Sequence, residues 1–272
     1  MENIERLIIN KDTCVGCGLC VNDCPSKALR MTDDGLEYIG RCLECGHCVA
    51  VCPTNSVTMP VLDMAGVAEY NPATFDLKPE TLLNTMKFRR SVRFFSNLEI
   101  PEPILLQMLE AGRHAPTASN TQKTRFIVVQ KELEAFKNLL WEGMPAIIEK
   151  MKADGSPALA AFERFLHKHE TTGFDNFFFN APAMFLIITD NMWDAGLASA
   201  NIELMGHAHK IGTLHNGFLK RAIPANPKLT EWLGIGENET IACVQLAGRS
   251  GVTYYLFLPH NYLTNVTYHF FS

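Results

Sequence analysis

Eight of the nine cysteines fall into two copies of one run, C-x2-C-x2-C-x3-C-P: Cys14, Cys17, Cys20, Cys24-Pro25, then Cys42, Cys45, Cys48, Cys52-Pro53. Nothing else in the sequence limits the fold of residues 1–60 so tightly. The first three cysteines of a run share one short loop, so their thiolates can take three corners of one [4Fe-4S] cube. The fourth begins or lies on a short helix and points away, toward the other cube. The spacing therefore assigns Cys14, Cys17, Cys20 and Cys52 to one cluster, and Cys24, Cys42, Cys45 and Cys48 to the other. Gly16, Gly18 and Gly46 let the backbone approach the inorganic sulfides and aim N–H groups at them. Pro25 and Pro53 turn the chain after each crossing ligand.

Zinc sites use two cysteine pairs split by a longer spacer, which fits poorly. A secreted disulfide scaffold is the other alternative, but the opening Met-Glu-Asn-Ile-Glu-Arg has no apolar leader core. The expected setting is a reducing compartment, most simply the cytoplasm. No apolar run reaches the length of a membrane span, and a net charge of -5 argues against nucleic acid as a partner. Arg6–Asn10 and Leu36–Gly40 alternate like short strands, so this part reads as strand, cluster loop and helix, twice. Over residues 1–60 the chain resembles bacterial ferredoxins.

Pro60, Gly66, Pro72 and Pro79 punctuate a stretch without clear periodicity, read as a linker over residues 61–79. Residues 80–272 form the larger domain. Helices are expected over Pro79–Phe88, Pro101–His114 (with Ile104, Leu105, Met108 and Leu109 on one face), Glu132–Lys152 and Asp194–Lys210. Strands are expected over Arg125–Gln130, Pro182–Thr189, Thr240–Ala247 and Val252–Leu258. Helices and strands mix without βαβ spacing, which makes the fold α+β, a central sheet covered by helices.

Four segments of this domain carry a second resemblance. Phe88-Arg-Arg-Ser-Val-Arg-Phe-Phe95, Ala115-Pro-Thr-Ala-Ser-Asn-Thr-Gln122, Ile211-Gly-Thr-Leu-His-Asn-Gly-Phe218 and Leu246-Ala-Gly-Arg249 are similar, in order and separation, to motifs of the FMN-dependent nitroreductases. The resemblance implies that Arg89, Arg90, Ser91 and Arg93 hold the FMN phosphate and ribityl chain. Their forked guanidinium donors suit a phosphate dianion. It implies that Pro116, Thr117 and Ala118 contact the flavin of a partner subunit, with Asn120 and Gln122 near the ring and ribityl chain. Asn216 and Gly217 match the turn whose N–H faces flavin N5, the logic of an oxyanion hole. Leu214 and His215 line the same edge, although His215 also reads as a packed polar residue. Gly248 and Arg249 complete the set. The chain departs from the pattern at Ala118, at Lys123-Thr124, and near its end. There Tyr254, Tyr255, Leu256 and Phe257 stand where further phosphate-binding arginines are common. The resemblance also implies a homodimer with FMN at the subunit interface, and a C-terminal arm, residues 260–272, on the partner.

The two resemblances together imply an iron–sulfur flavoprotein. A low-potential donor (a ferredoxin-like protein or NAD(P)H) charges two [4Fe-4S] clusters. These reduce FMN, whose N5 delivers hydride to a small planar acceptor such as a nitroaromatic or quinone. No catalytic protein residue is required. An electron relay to a protein partner, a flavin or ene reductase and a reductive dehalogenase remain open on the same motifs. Phe174, Phe177, Phe178 and Phe179 either roof the flavin or pack in the core. His47 reads as a solvated loop residue or a neighbour that tunes a cluster. His207 and His209 face differently and make a poor metal pair. His114 and Cys243 read as structural, a helix end and a buried apolar strand.

Overall fold

The computed structural model describes residues 6–258, so the arm over residues 260–272 lies outside the described residues. The chain divides into two compact units. One runs through Asp76 and takes in Thr117–Thr121; the other comprises Leu77–Pro116 and the chain from Gln122 onward.

The smaller unit repeats one plan twice. Strand β1 (Ile8–Ile9) leads into the first cysteine loop and helix α1 (Leu19–Asp23). The hairpin β2 (Leu29–Thr32) and β3 (Gly35–Tyr38) follows. The second cysteine loop leads into helix α2 (His47–Ala50) and strand β4 (Val57–Thr58), which pairs back onto β1. Gly18 and Gly46, both with left-handed backbones (φ 73° and 75°), open the two helices. A residue with a Cβ is strained at such a φ, which explains glycine at both places. Leu7, Leu29, Leu36, Val57 and Met59 form the apolar centre with Cys20 and Cys48. The stretch expected as a linker carries a 3-10 turn over Met64–Gly66 and a short helix, α3 (Pro72–Phe75).

The larger unit contains α4 (Pro79–Phe88), α5 (Glu102–Arg113), β5 (Arg125–Val129), α6 (Leu133–Ala153), α7 (Leu159–Thr172), β6 (Ala183–Ile188), α8 (Met192–Ala208), β7 (Gly212–His215), α9 (Gly217–Ala225), α10 (Pro227–Trp232) and β8 (Ile241–Gly248). The sheet order is β5-β6-β8-β7, antiparallel throughout. All six residues of β6 are buried, because helices cover both faces. Met184, Leu186 and Ile188 face the core built with α6, α7 and α9. Ala183, Phe185 and Ile187 face α5 and α8. The period of two in a strand produces this split. Asn191, Asn216 and Asn226 cap α8, α9 and α10 through their side-chain oxygens.

One expectation needs correction, one helix was not foreseen, and one open alternative is decided. Val252–Leu258 is not a strand: among the described residues past β8, Ser250 alone is bridged, to Phe95, and Tyr255, Leu256 and Leu258 stand exposed. Among the described residues no strand neighbours the segment to receive its backbone bonds. Helix α7 was not expected, although Leu159, Phe162 and Phe165-Leu166 repeat at helical spacing and Gly173 ends it in the left-handed conformation (φ 69°). Phe177 and Phe178 are 0% exposed and pack edge-on with Phe136, Trp141, Phe162 and Phe165. They are core rather than roof. The Asp175 carboxylate accepts from both their amides (2.8 and 3.1 Å).

Phe178→Ala should therefore cost about 3–5 kcal/mol in stability. Phe174→Ala, at an exposed position, should cost under about 1 kcal/mol. Urea denaturation of the two variants checks the contrast.

Candidate functional site

The cysteine unit is built from local turns. After Cys24 and Cys52 the chain runs Pro-Ser-Lys and Pro-Thr-Asn. Lys27 and Asn55 adopt left-handed backbones (φ 53° and 52°). The resulting turn brings the amides of Ala28 and Ser56 back onto the Cys24 and Cys52 sulfurs, both at 3.2 Å. Burial raises both thiols, but the Ser26 hydroxyl and neighbouring amides at Cys24, and the amides of Thr54 and Ser56 at Cys52, outweigh it and hold them below the usual range. Cys20 and Cys48 behave oppositely. Burial, reinforced by the other cysteines of each loop, pushes Cys20 up and Cys48 up to about 11. A metal cluster replaces those protons and removes that cost.

The structure brings together cysteines of different runs. Cys24 lines one cavity with Cys42, Cys45 and Cys48, closed by Leu7, Leu29, Tyr38 and Met59. The second loop lacks a glycine at the place of Gly16; Glu44 stands there with a left-handed backbone (φ 55°). That strained position is held by bonds. The Glu44 amide donates to Cys42 Sγ (3.2 Å), and the Asn120 side chain donates to the carbonyls of Leu43 and Glu44 (3.0 Å each). Among the residues matched to flavin motifs, Thr117, Ala118 and Asn120 thus belong to the cysteine unit. His47, expected as a solvated residue, places Nδ1 3.0 Å from Asp23 Oδ2 and joins the two cluster helices.

In the larger unit three distant segments meet along the β7 edge of the sheet. Ser91 bridges Thr213 in parallel, and the Val92 amide donates to the Thr213 carbonyl (3.0 Å). Gly212 permits this approach, because a Cβ there would collide with Val92 Cγ2. Phe95 bridges Ser250, and the Ser96 amide donates to the Arg249 carbonyl (2.9 Å). A Cβ on Gly248 would lie 2.6 Å from Pro182 and 3.1 Å from Phe95. Arg89–Arg93, Leu214–Gly217 and Gly248-Arg249 thus share one edge. Arg90, Arg93 and Arg249 are exposed there. Arg90 lies 5.9 Å from the Tyr254 ring centre. The Asn216 side chain caps α9 and donates to the Phe177 carbonyl (2.6 Å), fixing the turn before Gly217. Pro116 and Gln122 belong to the larger unit; the Gln122 backbone is left-handed (φ 50°).

Sequence reasoning missed Glu203. It sits on α8 with its side chain 9% exposed. It accepts from Arg89 Nη1 (2.7 Å) and Thr213 Oγ1 (3.1 Å), and lies 3.7 Å from His215 Nε2. A lone acid between Ile202 and Leu204 of an apolar helix was the available signal. Burial raises the Glu203 carboxyl, but His215, Arg89 and Thr213 outweigh it and hold it below the usual range. Cys243 first, then Glu203, push His215 up to about 9 against its burial.

The sign follows from linkage. An imidazole raised above its unfolded value of 6.5 adds stability below that pH, and loses it as pH rises through about 9. The stability gap between the wild type and His215→Gln should be widest below pH 6.5 and close by pH 9.5 (values of about this size follow from the linkage rule). Urea denaturation across that range measures it.

Comparison with known proteins agrees with this geometry. Residues 86–249 match the model of the nitroreductase family, and residues 6–53 match that of a 4Fe-4S dicluster domain. A protein described as "Probable ferredoxin" from Methanosarcina thermophila is 50% identical over 28 residues, and a ferredoxin from Pyrobaculum islandicum is 40% identical over 35. These matches span 10% and 13% of this chain, and 48% and 33% of those proteins. A nitroreductase with bound FMN from Desulfitobacterium hafniense superposes with a TM-score of 0.55 at 23% identity, over 71% of this chain and 99% of that one. Another, from Bacteroides fragilis, gives 0.55 at 21%, over 68% and 97%. At such identities the structures establish a common fold. The family model spans more than half of the sequence, and the chain belongs to the nitroreductase family.

Proposed function

We propose that this chain is an FMN-dependent oxidoreductase in which electrons from an external low-potential donor cross two [4Fe-4S] clusters and leave, by way of FMN, for a small acceptor such as a nitroaromatic or quinone. The observation that carries the reading is the cavity shared by Cys24 with Cys42, Cys45 and Cys48. It suits a cube held by cysteines of both runs. Cys24, Cys42, Cys45 and Cys48 would hold one cluster, and Cys14, Cys17, Cys20 and Cys52 the other. Amides aimed at the Cys24, Cys42 and Cys52 sulfurs would favour the more negative state of each site.

The β7 edge fits FMN by its donor set. Arg90 and Arg93 are exposed cations beside Ser91, free of the carboxylate that occupies Arg89 Nη1. They would bind the phosphate. Glu203 would keep Arg89 and Thr213 in place, and Asn216, anchored at both ends, would present the Gly217 amide to the ring edge. Leu214 and His215 would line that edge, and Gly248 and Arg249 would flank it. Pro116, Thr117, Ala118, Asn120 and Gln122 would meet the flavin of a partner subunit in a homodimer. Exposed Trp193 and Leu197 on α8 supply apolar surface suited to such an interface. Among the described residues no helix is long and apolar enough to cross a membrane, in keeping with a cytoplasmic setting.

Protein purified without oxygen should carry about eight irons and one FMN per chain. Its dithionite-reduced flavin should regain colour on stopped-flow mixing with a nitroaromatic. Reoxidation by a redox protein alone would instead make it a relay. Arg90→Gln/Arg93→Gln should weaken FMN binding by about 10–100-fold, measured by flavin fluorescence on titrating the apoflavoprotein.

A further inference from the structure

Cys243 is the one cysteine outside the two runs; it lies on the apolar strand β8 as expected, packed against the core. It is half-buried rather than enclosed. Its Sγ lies 3.4 Å from His215 Nδ1. The other ring nitrogen, Nε2, faces the Gln245 amide at 3.2 Å and the Glu203 carboxylate at 3.7 Å. Both nitrogens are thus engaged, and the ring cannot turn without losing partners on two elements, α8 and β8. The His215 side chain is 46% exposed, so the pair opens to solvent.

The polar groups behind the ring are costly. Gln245 is 0% exposed, gives one N–H to the Ser199 carbonyl (3.0 Å), and leaves Oε1 without a partner among the described residues. Glu203 is a buried carboxylate on α8, which also buries Asp194 and Ser199. A sheet interior gains nothing from such groups through packing alone. Their arrangement holds an imidazole N–H donor against a thiol, with the ring oriented by a third group.

We propose that Cys243 is a reactive thiol, activated by His215 and oriented through Gln245 and Glu203, which attacks small soft electrophiles such as low-molecular-weight disulfides. His215 donates its Nδ1–H to the sulfur, and the thiol proton passes to water. The Cys243 sulfur forms a bond to one sulfur of the disulfide, the S–S bond breaks, and the other half leaves as a thiolate that takes a proton from water. The charged groups facing the imidazole are Glu203 from α8 and the Cys243 thiol from β8, with Arg89 on the far side of Glu203. The imidazole ring thus lies beside the sulfur, with Nδ1 3.4 Å from Sγ. Under the proposed function His215 also lines the flavin edge, so labelling of the holoprotein reads whether the thiol stays accessible there.

The test uses the holoprotein, iodoacetamide as probe, and peptide mass mapping of Cys243. The sulfur bonds the methylene carbon and iodide leaves. An ordinary thiol reacts more than about 100-fold slower at pH 6 than at pH 8.5. The Cys243 rate should fall less than about tenfold over that range, and His215→Asn should restore the steep fall. A wild-type profile as steep as an ordinary thiol's would overturn the proposal, even if the variant fails to fold. So would native protein whose Cys243 is unlabelled while urea-unfolded protein is labelled.

Discussion

A cubic cluster takes four thiolates at separated corners, while a single tight loop supplies three. That mismatch governs the small unit. On the proposed ligand sets the fourth cysteine of each run reaches across to the other loop, and Cys24 does line a cavity with Cys42, Cys45 and Cys48. The repeated turns after Cys24 and Cys52, with their left-handed Lys27 and Asn55, aim the crossing sulfurs and give each an amide partner. The Asp23–His47 pair and the β1–β4 pairing join the halves from outside. A unit with so small an apolar centre relies on metal sites for part of its stability.

The larger unit solves a different problem. Strand β6 is buried on both faces, which leaves the β7 edge as the place where polar chemistry can gather. Close backbone approach at Gly212 and Gly248 lets the arginine segment and the end of β8 lie against that edge. Glu203 then connects Arg89, Thr213 and His215 from beneath. One buried carboxylate thus ties the arginine segment to the turn at Asn216. Its removal would leave Arg89 without its partner, a change out of proportion to one side chain.

Much of this was legible in the sequence because the relevant signals are local. The cysteine spacing specifies its chemistry within eleven residues of chain, and Arg89–Arg93 and Leu214–Gly217 stand out through their resemblance to nitroreductase motifs. Strands and helices with long periodic runs, such as β6 and α6, fall within a residue or two of their expected bounds. What escaped were pairings between distant positions. Glu203 reads as a stray acid on α8 until the fold sets it beneath Arg89. Cys243 reads as an apolar strand residue until β7 brings His215 beside it. Phe177 and Phe178 read equally well as roof or core, and only their complete burial separates the two. The segment after Ser250 has the residue types of a strand but, among the described residues, no neighbouring strand to pair with.

The crossing of cysteines between runs is tested most directly by iron counts on two double variants. If the ligands cross as the shared cavity implies, Cys24→Ala/Cys42→Ala removes two ligands of one cluster, and about four irons per chain remain. Cys14→Ala/Cys24→Ala then damages both clusters, and few irons remain. The reverse outcome, with four irons kept in Cys14→Ala/Cys24→Ala and both clusters lost in Cys24→Ala/Cys42→Ala, would mean that each run holds its own cluster and would contradict the account.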